Sequence, residues 1–211
     1  MPRPGHKRYH HGDLRAALIE TAAELIAERG IRGFSLAETS RRLGVAVSAP
    51  YAHFTDRDDL LAAVTVRAYE LFHSAMVPAT GEFSEPADRL AAMARAYVRF
   101  AAGNRPMFEV LYESGLDKNR HPEIEAAERP INEAFEECVR ALANGDDALA
   151  EEMAVTFEAT ARGHAMLLLD GGPSPDQKAV DVAAERAARA ARALIESRSL
   201  LAIPSSRGVQ K

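Results

Sequence analysis

An all-α chain is the fold class that the 211 residues predict, on three observations. Apolar residues recur at helical spacing throughout, and no stretch alternates as a strand would. Glycine, proline and capping residues cut that pattern into about nine segments of helical length. Hydrophobic residues make up 47% and charged ones 27%, the composition of a globular chain with a substantial core.

Each segment has its own signal. Leu14, Leu18, Ala22, Leu25 and Ile26 share a face of the first helix, and Gly30 can end it in a left-handed cap. Ser35 and Glu38 form a capping box, the serine oxygen accepting the N–H three residues on and the glutamate reaching back. A short second helix, Leu36 to Leu43, stops at Gly44. A third, very short helix lies around Ser48 to Phe54; Pro50 fits only its first turn, so the cap falls at or near Val47. Thr55 and Asp56 cap a long fourth helix carrying Leu60, Leu61, Val64, Ala68, Leu71, Phe72 and Ala75.

Pro86 opens the next helix, through Leu90, Met93, Tyr97 and Val98 to Ala101. Asn104 and Pro106 start a short apolar one with Met107, Phe108, Leu111 and Tyr112, ending near Gly115. Asp117 to Pro122 reads as loop, and the helix that ends near Ala143 should begin or bend at Pro130. Asn144, Gly145 and Asp146 break the chain before a long helix, Ala148 to Leu169. After a turn at Gly171, Gly172 and Pro173, Ser174 and Pro175 launch an alanine-rich last helix. From Pro204 onward the tail reads as disordered.

Charge is unevenly placed. The net charge is -5, yet residues 1–57 hold nine Lys and Arg against six Asp and Glu, with four of the seven histidines. The rest holds 17 basic against 25 acidic residues, so a basic head that suits phosphates precedes an acidic body. The sequence shows no phosphate-binding glycine loop, nucleophile motif or metal-ligand cluster, which argues against an enzyme and calls for no cofactor. Adjacent His10 and His11 have no matching ligands nearby, and read as a DNA-facing arm rather than a metal pair. The basic start has no signal-peptide pattern, and no apolar run suggests a membrane span. A lone cysteine, Cys138, permits no internal disulfide; it reads as a small buried hydrophobe in a cytoplasmic protein.

A helix, a glycine-containing turn and a short helix within Leu36 to Phe54 give the layout of a helix-turn-helix. The stretches YHHGDLRAALIETAAELIAERG and GFSLAETSRRLGVAVSAPYAHFTDRDDLLAAV closely resemble the N-terminal domain of TetR-family repressors. Most telling are the turn at Gly44 and Val45, the pattern Tyr51-x-His53-Phe54, and the acidic-basic-x-x-Leu-Leu opening of the fourth helix. The body resembles the family's Trp-His-Gly subgroup in ADRLAAMARAYVRFAAGNRPMFEVLY, in Leu116 to Pro122 and in RGHAMLLLDGG. In place of that Trp and His stand Glu158 and Arg162, four apart on one helix and able to pair.

The resemblance implies a homodimeric regulator, a repressor that binds double-stranded operator DNA and is released by an unknown small-molecule effector. Residues 1–57 would be the DNA-binding domain, 58–203 the ligand-binding and dimerisation domain, and 204–211 the tail. Ser35 and Thr39 would meet phosphate oxygens, Val47, Ser48 and Ala49 would face bases, and Tyr51 and His53 would reach backbone or base edge. Arg57 would clamp a phosphate, and Lys7, Arg8, His10 and His11 would lie along the duplex. Few hydrogen-bond donors stand in this recognition helix, so apolar contact with thymine methyls enters the readout. Tyr97, Phe100, Phe108, Tyr112, Phe157, Arg162 and Met166 are the candidate cavity wall, although Met and aromatic residues at helical spacing are ordinary core. His164 reads as a structural histidine. Ala183, Ala187, Ala190 and Ala191, with Leu167 and Leu168, would form a two-fold interface through the last two helices. A competing reading is a helical binding protein whose head has lost DNA binding.

Overall fold

The computed structural model describes residues 11–171 and 175–201, with no side-chain description for residues 11–13 or for Ala79. Among them are eight α-helices and no strand, which establishes the all-α class. They are α1 (His11–Arg29), α2 (Leu36–Leu43), α3 (Arg57–Gly81), α4 (Pro86–Gly103), α5 (Arg105–Glu113), α6 (Pro122–Ala143), α7 (Asp147–Asp170) and α8 (Gln177–Glu196). Short 3₁₀ turns occupy Ile31–Gly33, Ala49–Ala52 and Arg198–Leu200. The tail from Pro204 and the arm residues Lys7, Arg8 and His10 lie outside the described residues.

Three element boundaries depart from expectation. The third expected helix is the 3₁₀ turn Ala49–Ala52, because Pro50 at its start withholds an N–H and leaves too few residues for an α-turn ladder. Helix α6 begins at Pro122 and contains Pro130, which excludes a start at Pro130 and leaves the expected bend there untouched. Pro122 suits a first helical position, and Glu123 and Glu125 complement the positive end of the helix dipole. The last helix is capped by Asp176, later than the expected start: its carboxylate accepts the Ala179 N–H at 2.7 Å.

The chain packs as two compact units that interleave in sequence. The first ends at Tyr69 and resumes from Pro106 to Ala127; the second comprises Glu70–Arg105 and the chain from Glu128 onward. By packing, most of the short α5 belongs with the N-terminal unit. Fully buried Leu18, Leu25, Leu60 and Val64 are core residues of the first unit. In the second, α4 is buried almost without a break from Leu90 to Ala101, as a helix enclosed by others must be. Helices α7 and α8 both pack on it and on each other.

Pairs Asp88–Arg192 at 2.8 Å, Arg95–Glu185 at 2.5 Å and Arg99–Asp181 at 3.1 Å set α4 and α8 antiparallel. Largely solvated, they fix register more than they add stability. Ala184, Ala187 and Ala191 are wholly buried within the chain, where their small side chains admit close approach of neighbouring helices. Two of the alanines expected to face a second copy, Ala187 and Ala191, are thus core residues; Ala183 and Ala190 are half-buried. Contrary to the expectation that no span-length apolar segment exists, residues Arg57–Pro78 of α3 are long and apolar enough to cross a membrane. More than half of that helix is buried inside the protein, as a core helix would be.

Candidate nucleic-acid interface

Helix α2 starts as its residues dictate. Ser35 is extended and its hydroxyl oxygen accepts the Glu38 N–H at 3.2 Å. The reciprocal half of the capping box is missing: the Glu38 carboxylate accepts from Arg41 at 2.6 Å and from Arg29 at 3.2 Å instead. These two arginines hold the Glu38 carboxyl below its ordinary range, the Arg41 hydrogen bond first. Thr39 corrects another expectation. It is fully buried, and its hydroxyl donates to the Ser35 carbonyl at 2.9 Å, so it faces the protein interior rather than a phosphate.

At Gly44 the chain turns with φ 74° and ψ 27°, the left-handed region that glycine enters without a Cβ penalty. The Val45 N–H returns to the Ser40 carbonyl at 3.1 Å, closing α2. The following turn is pinned from within by buried Pro50 and Phe54, whose N–H donates to the Pro50 carbonyl at 2.9 Å. The Arg15 guanidinium lies 5.4 Å from the Phe54 ring centroid. On the outer side stand Val47, 53% exposed, Ser48, and Tyr51, 60% exposed; Ala49 and His53 are half-buried. Side chains four apart thus divide cleanly, Pro50 and Phe54 inward, Val47 and Tyr51 outward.

Arg57 does not take the expected clamp position. Its guanidinium donates to the Ile31 carbonyl, to the Phe34 carbonyl at 3.4 Å and to Asp58 at 3.3 Å, and stacks 4.5 Å from the Phe34 ring centroid. It ties α3 to the segment before α2. Arg42 is engaged bidentately by Glu28 at 2.7 Å. Arg32, which no motif singles out, is exposed and has no ion pair among the described residues; its only sequence signal is a basic residue in the turn leading to α2.

The start of α3 carries the reciprocal capping that α2 lacks. Asp56 accepts the N–H groups of Asp58 at 2.8 Å and Asp59 at 3.0 Å, and Asp59 reaches back to the Thr55 N–H at 2.8 Å. Hydrogen bonds from Thr55, hydroxyl first and then backbone, hold the Asp59 carboxyl below its ordinary range. A depressed carboxyl pKa contributes stability above the unfolded value, near 3.9, that is lost as pH falls through the folded one. Asp59→Asn should therefore cost about 1 kcal/mol of stability at neutral pH and soften the acid limb below about pH 4, read by urea unfolding at several pH values. Unchanged pH dependence would mean that the cap contributes nothing.

Sequence reasoning overlooks the loop before α6. Buried His121 places Nδ1 3.6 Å from Glu123 and 3.9 Å from Asp59, and Arg120 lies 3.9 Å from Asp56. A loop expected to belong to the body thus lines the acidic start of α3.

The candidate cavity residues are scattered. Tyr97 and Phe100 pack on Phe72, with ring centroids 5.5 and 5.0 Å apart, and Phe157 meets Phe135 at 6.5 Å, all in the second unit. Phe108 and Tyr112 pair at 5.1 Å within the first. Arg162 and Met166 correct the proposed wall: both are exposed on α7, Met166 by 41%, near exposed Leu167. His164 is half-buried.

A glycine turn between α2 and an internally pinned segment with exposed outer side chains is the arrangement of a helix-turn-helix, the class to which DNA-binding transcriptional regulators of this kind belong. Comparison with known proteins agrees. Residues 18–64 match the family of bacterial regulatory proteins of the tetR type, and residues 90–194 match the tetracycline repressor-like C-terminal domain. The HTH-type transcriptional regulator Rv1816 of Mycobacterium tuberculosis is 27% identical over 157 residues, 72% of this chain and 67% of that protein. A Rhodococcus sp. RHA1 protein of unknown function is similar at 29% identity and TM-score 0.66, over 88% of this chain and 98% of that one. AibR, solved in complex with isovaleryl coenzyme A and operator DNA, shares the fold at 21% identity and TM-score 0.63, over 82% of this chain and 96% of that one. The chain belongs to the TetR family of transcriptional regulators.

Proposed function

We propose that the protein is a cytoplasmic repressor that binds operator DNA as a homodimer and leaves it when a small molecule binds the body. The observation that carries this reading is the outward stance of Val47, Ser48 and Tyr51 on a turn fixed by Pro50 and Phe54. Ser35, Ala49, His53 and the arm with His10 and His11 complete the DNA-facing set. Arg32, exposed and without an ion pair among the described residues, joins it as a phosphate contact. Leu167, Val182 and Val155, exposed on the last two helices, are the surface for a second copy. Two heads of such a dimer would meet successive major grooves about 34–36 Å apart.

That such a body can hold a small molecule draws support from AibR, which was solved in complex with isovaleryl coenzyme A and operator DNA. Buried Tyr97, Phe100 and Phe157 are the proposed walls here, and the Trp-His-Gly resemblance of the body belongs to the same proposal. The effector must favour the DNA-incompetent state, by about 1–3 kcal/mol for ordinary coupling. A mobility-shift titration with the DNA upstream of its own gene, at two salt concentrations, tests the reading. Nanomolar binding that weakens steeply with salt is expected. Binding no tighter than to random DNA, or none, would overturn it.

A further inference from the structure

Between Val45 and His53 the chain carries no Arg, Lys, Asn or Gln, the side chains that read guanine or adenine through paired hydrogen bonds. Three cations nearby are held elsewhere: Arg57 on the Ile31 and Phe34 carbonyls, Arg41 on Glu38, Arg42 on Glu28. What the turn does present is apolar. Val47 and Tyr51, the two most exposed large apolar side chains among the described residues of the unit, stand four residues apart on its outer side, flanked by exposed Ala46 and Ala52. An exposed valine is unremarkable by itself, but this one occupies the position from which a helix-turn-helix meets base edges. The apolar group that a B-DNA major groove offers there is the 5-methyl of thymine.

We infer that thymine methyl groups, contacted by Val47 and the ring of Tyr51, supply the base-specific part of operator recognition. The Ser48 hydroxyl, able to donate or accept, discriminates little between bases. Phosphate contacts then supply affinity, and methyl positions supply sequence. This inference rests on the DNA-binding function proposed above, and its test separates the two.

The test uses the full chain and the tightest duplex selected from a random library. Each thymine of a half-site is replaced in turn by deoxyuridine, which lacks only the methyl. One or more positions should weaken binding about fourfold per methyl, the scale of one buried methyl group. With Val47→Ala, a substitution at an exposed site, at least one of those positions should become insensitive to the replacement while the salt slope stays unchanged. Thermal unfolding of the variant confirms the fold. Full affinity for a half-site with every thymine replaced, the salt slope intact, overturns the inference and leaves the DNA-binding function standing. Equal deoxyuridine penalties in Val47→Ala, Tyr51→Ala and the parent also overturn it, since other groups would then read the methyls. If no duplex is bound in a salt-dependent way, the proposed function fails and this inference with it.

Discussion

Arg57→Ala is expected to destabilise the helix-turn-helix unit by about 2–4 kcal/mol, while leaving the salt slope of DNA binding unchanged. The guanidinium donates to two carbonyls 23 and 26 residues upstream and covers the ring of buried Phe34. Hydrogen bonds from a charged donor contribute about 1.5–3 kcal/mol each, and a cation over an aromatic face about 0.5–1. The side chain is 37% exposed, and water takes over part of its role on truncation, which keeps the total near the lower end of that sum. Urea unfolding followed by circular dichroism reads the first quantity, and titrations at several salt concentrations the second. A phosphate clamp would give the opposite pattern, with stability unchanged and a slope flatter by about one phosphate. Arg57→Lys should recover little, because an ammonium cannot span two carbonyls and stack on a ring.

That residue also shows where sequence reading stops. Signals that act within four or five residues are legible: the Ser35 cap, the turn at Gly44, Pro86 at a helix start, the break at Asn144 and Gly145. The class and the recognition segment follow from them. What depends on partners distant in the chain is not legible. Arg57 sits where a basic residue reads as DNA-facing, and only folding brings the Ile31 and Phe34 carbonyls to it. The Thr39 hydroxyl turns inward because that face of α2 is buried, and Glu38 abandons its reciprocal cap for Arg29, nine residues back. Pro122 and Pro130 carry the same local signal. Which of them starts α6 depends on the loop before it, where buried His121 lies against Asp59 of α3. The recognition turn is foreseen in place but not in kind, since Pro50 within so short a segment leaves a 3₁₀ turn.

Ala187→Leu should lower the stability of the second unit by about 3 kcal/mol, at the upper end of what overpacking costs. Ala184, Ala187 and Ala191 are wholly buried, spaced three and four apart on one face of α8. Leucine there adds three heavy atoms at a position with no solvent exposure, in an interior packed as densely as an organic crystal. Sliding α8 along α4 would make room, but Asp88–Arg192, Arg95–Glu185 and Arg99–Asp181 fix the register at both ends of the contact. The cost therefore falls on the fold of a single chain, and the loss of unfolding free energy should not vary with protein concentration. Leu167→Glu provides the contrast. At 74% exposure its side chain supports no core, so that variant should keep the stability of the chain and weaken self-association in sedimentation. If Ala187→Leu instead left the chain stable and split a dimer, the alanine face would belong to a second copy, and the packing of α8 against its own chain would have to be redrawn.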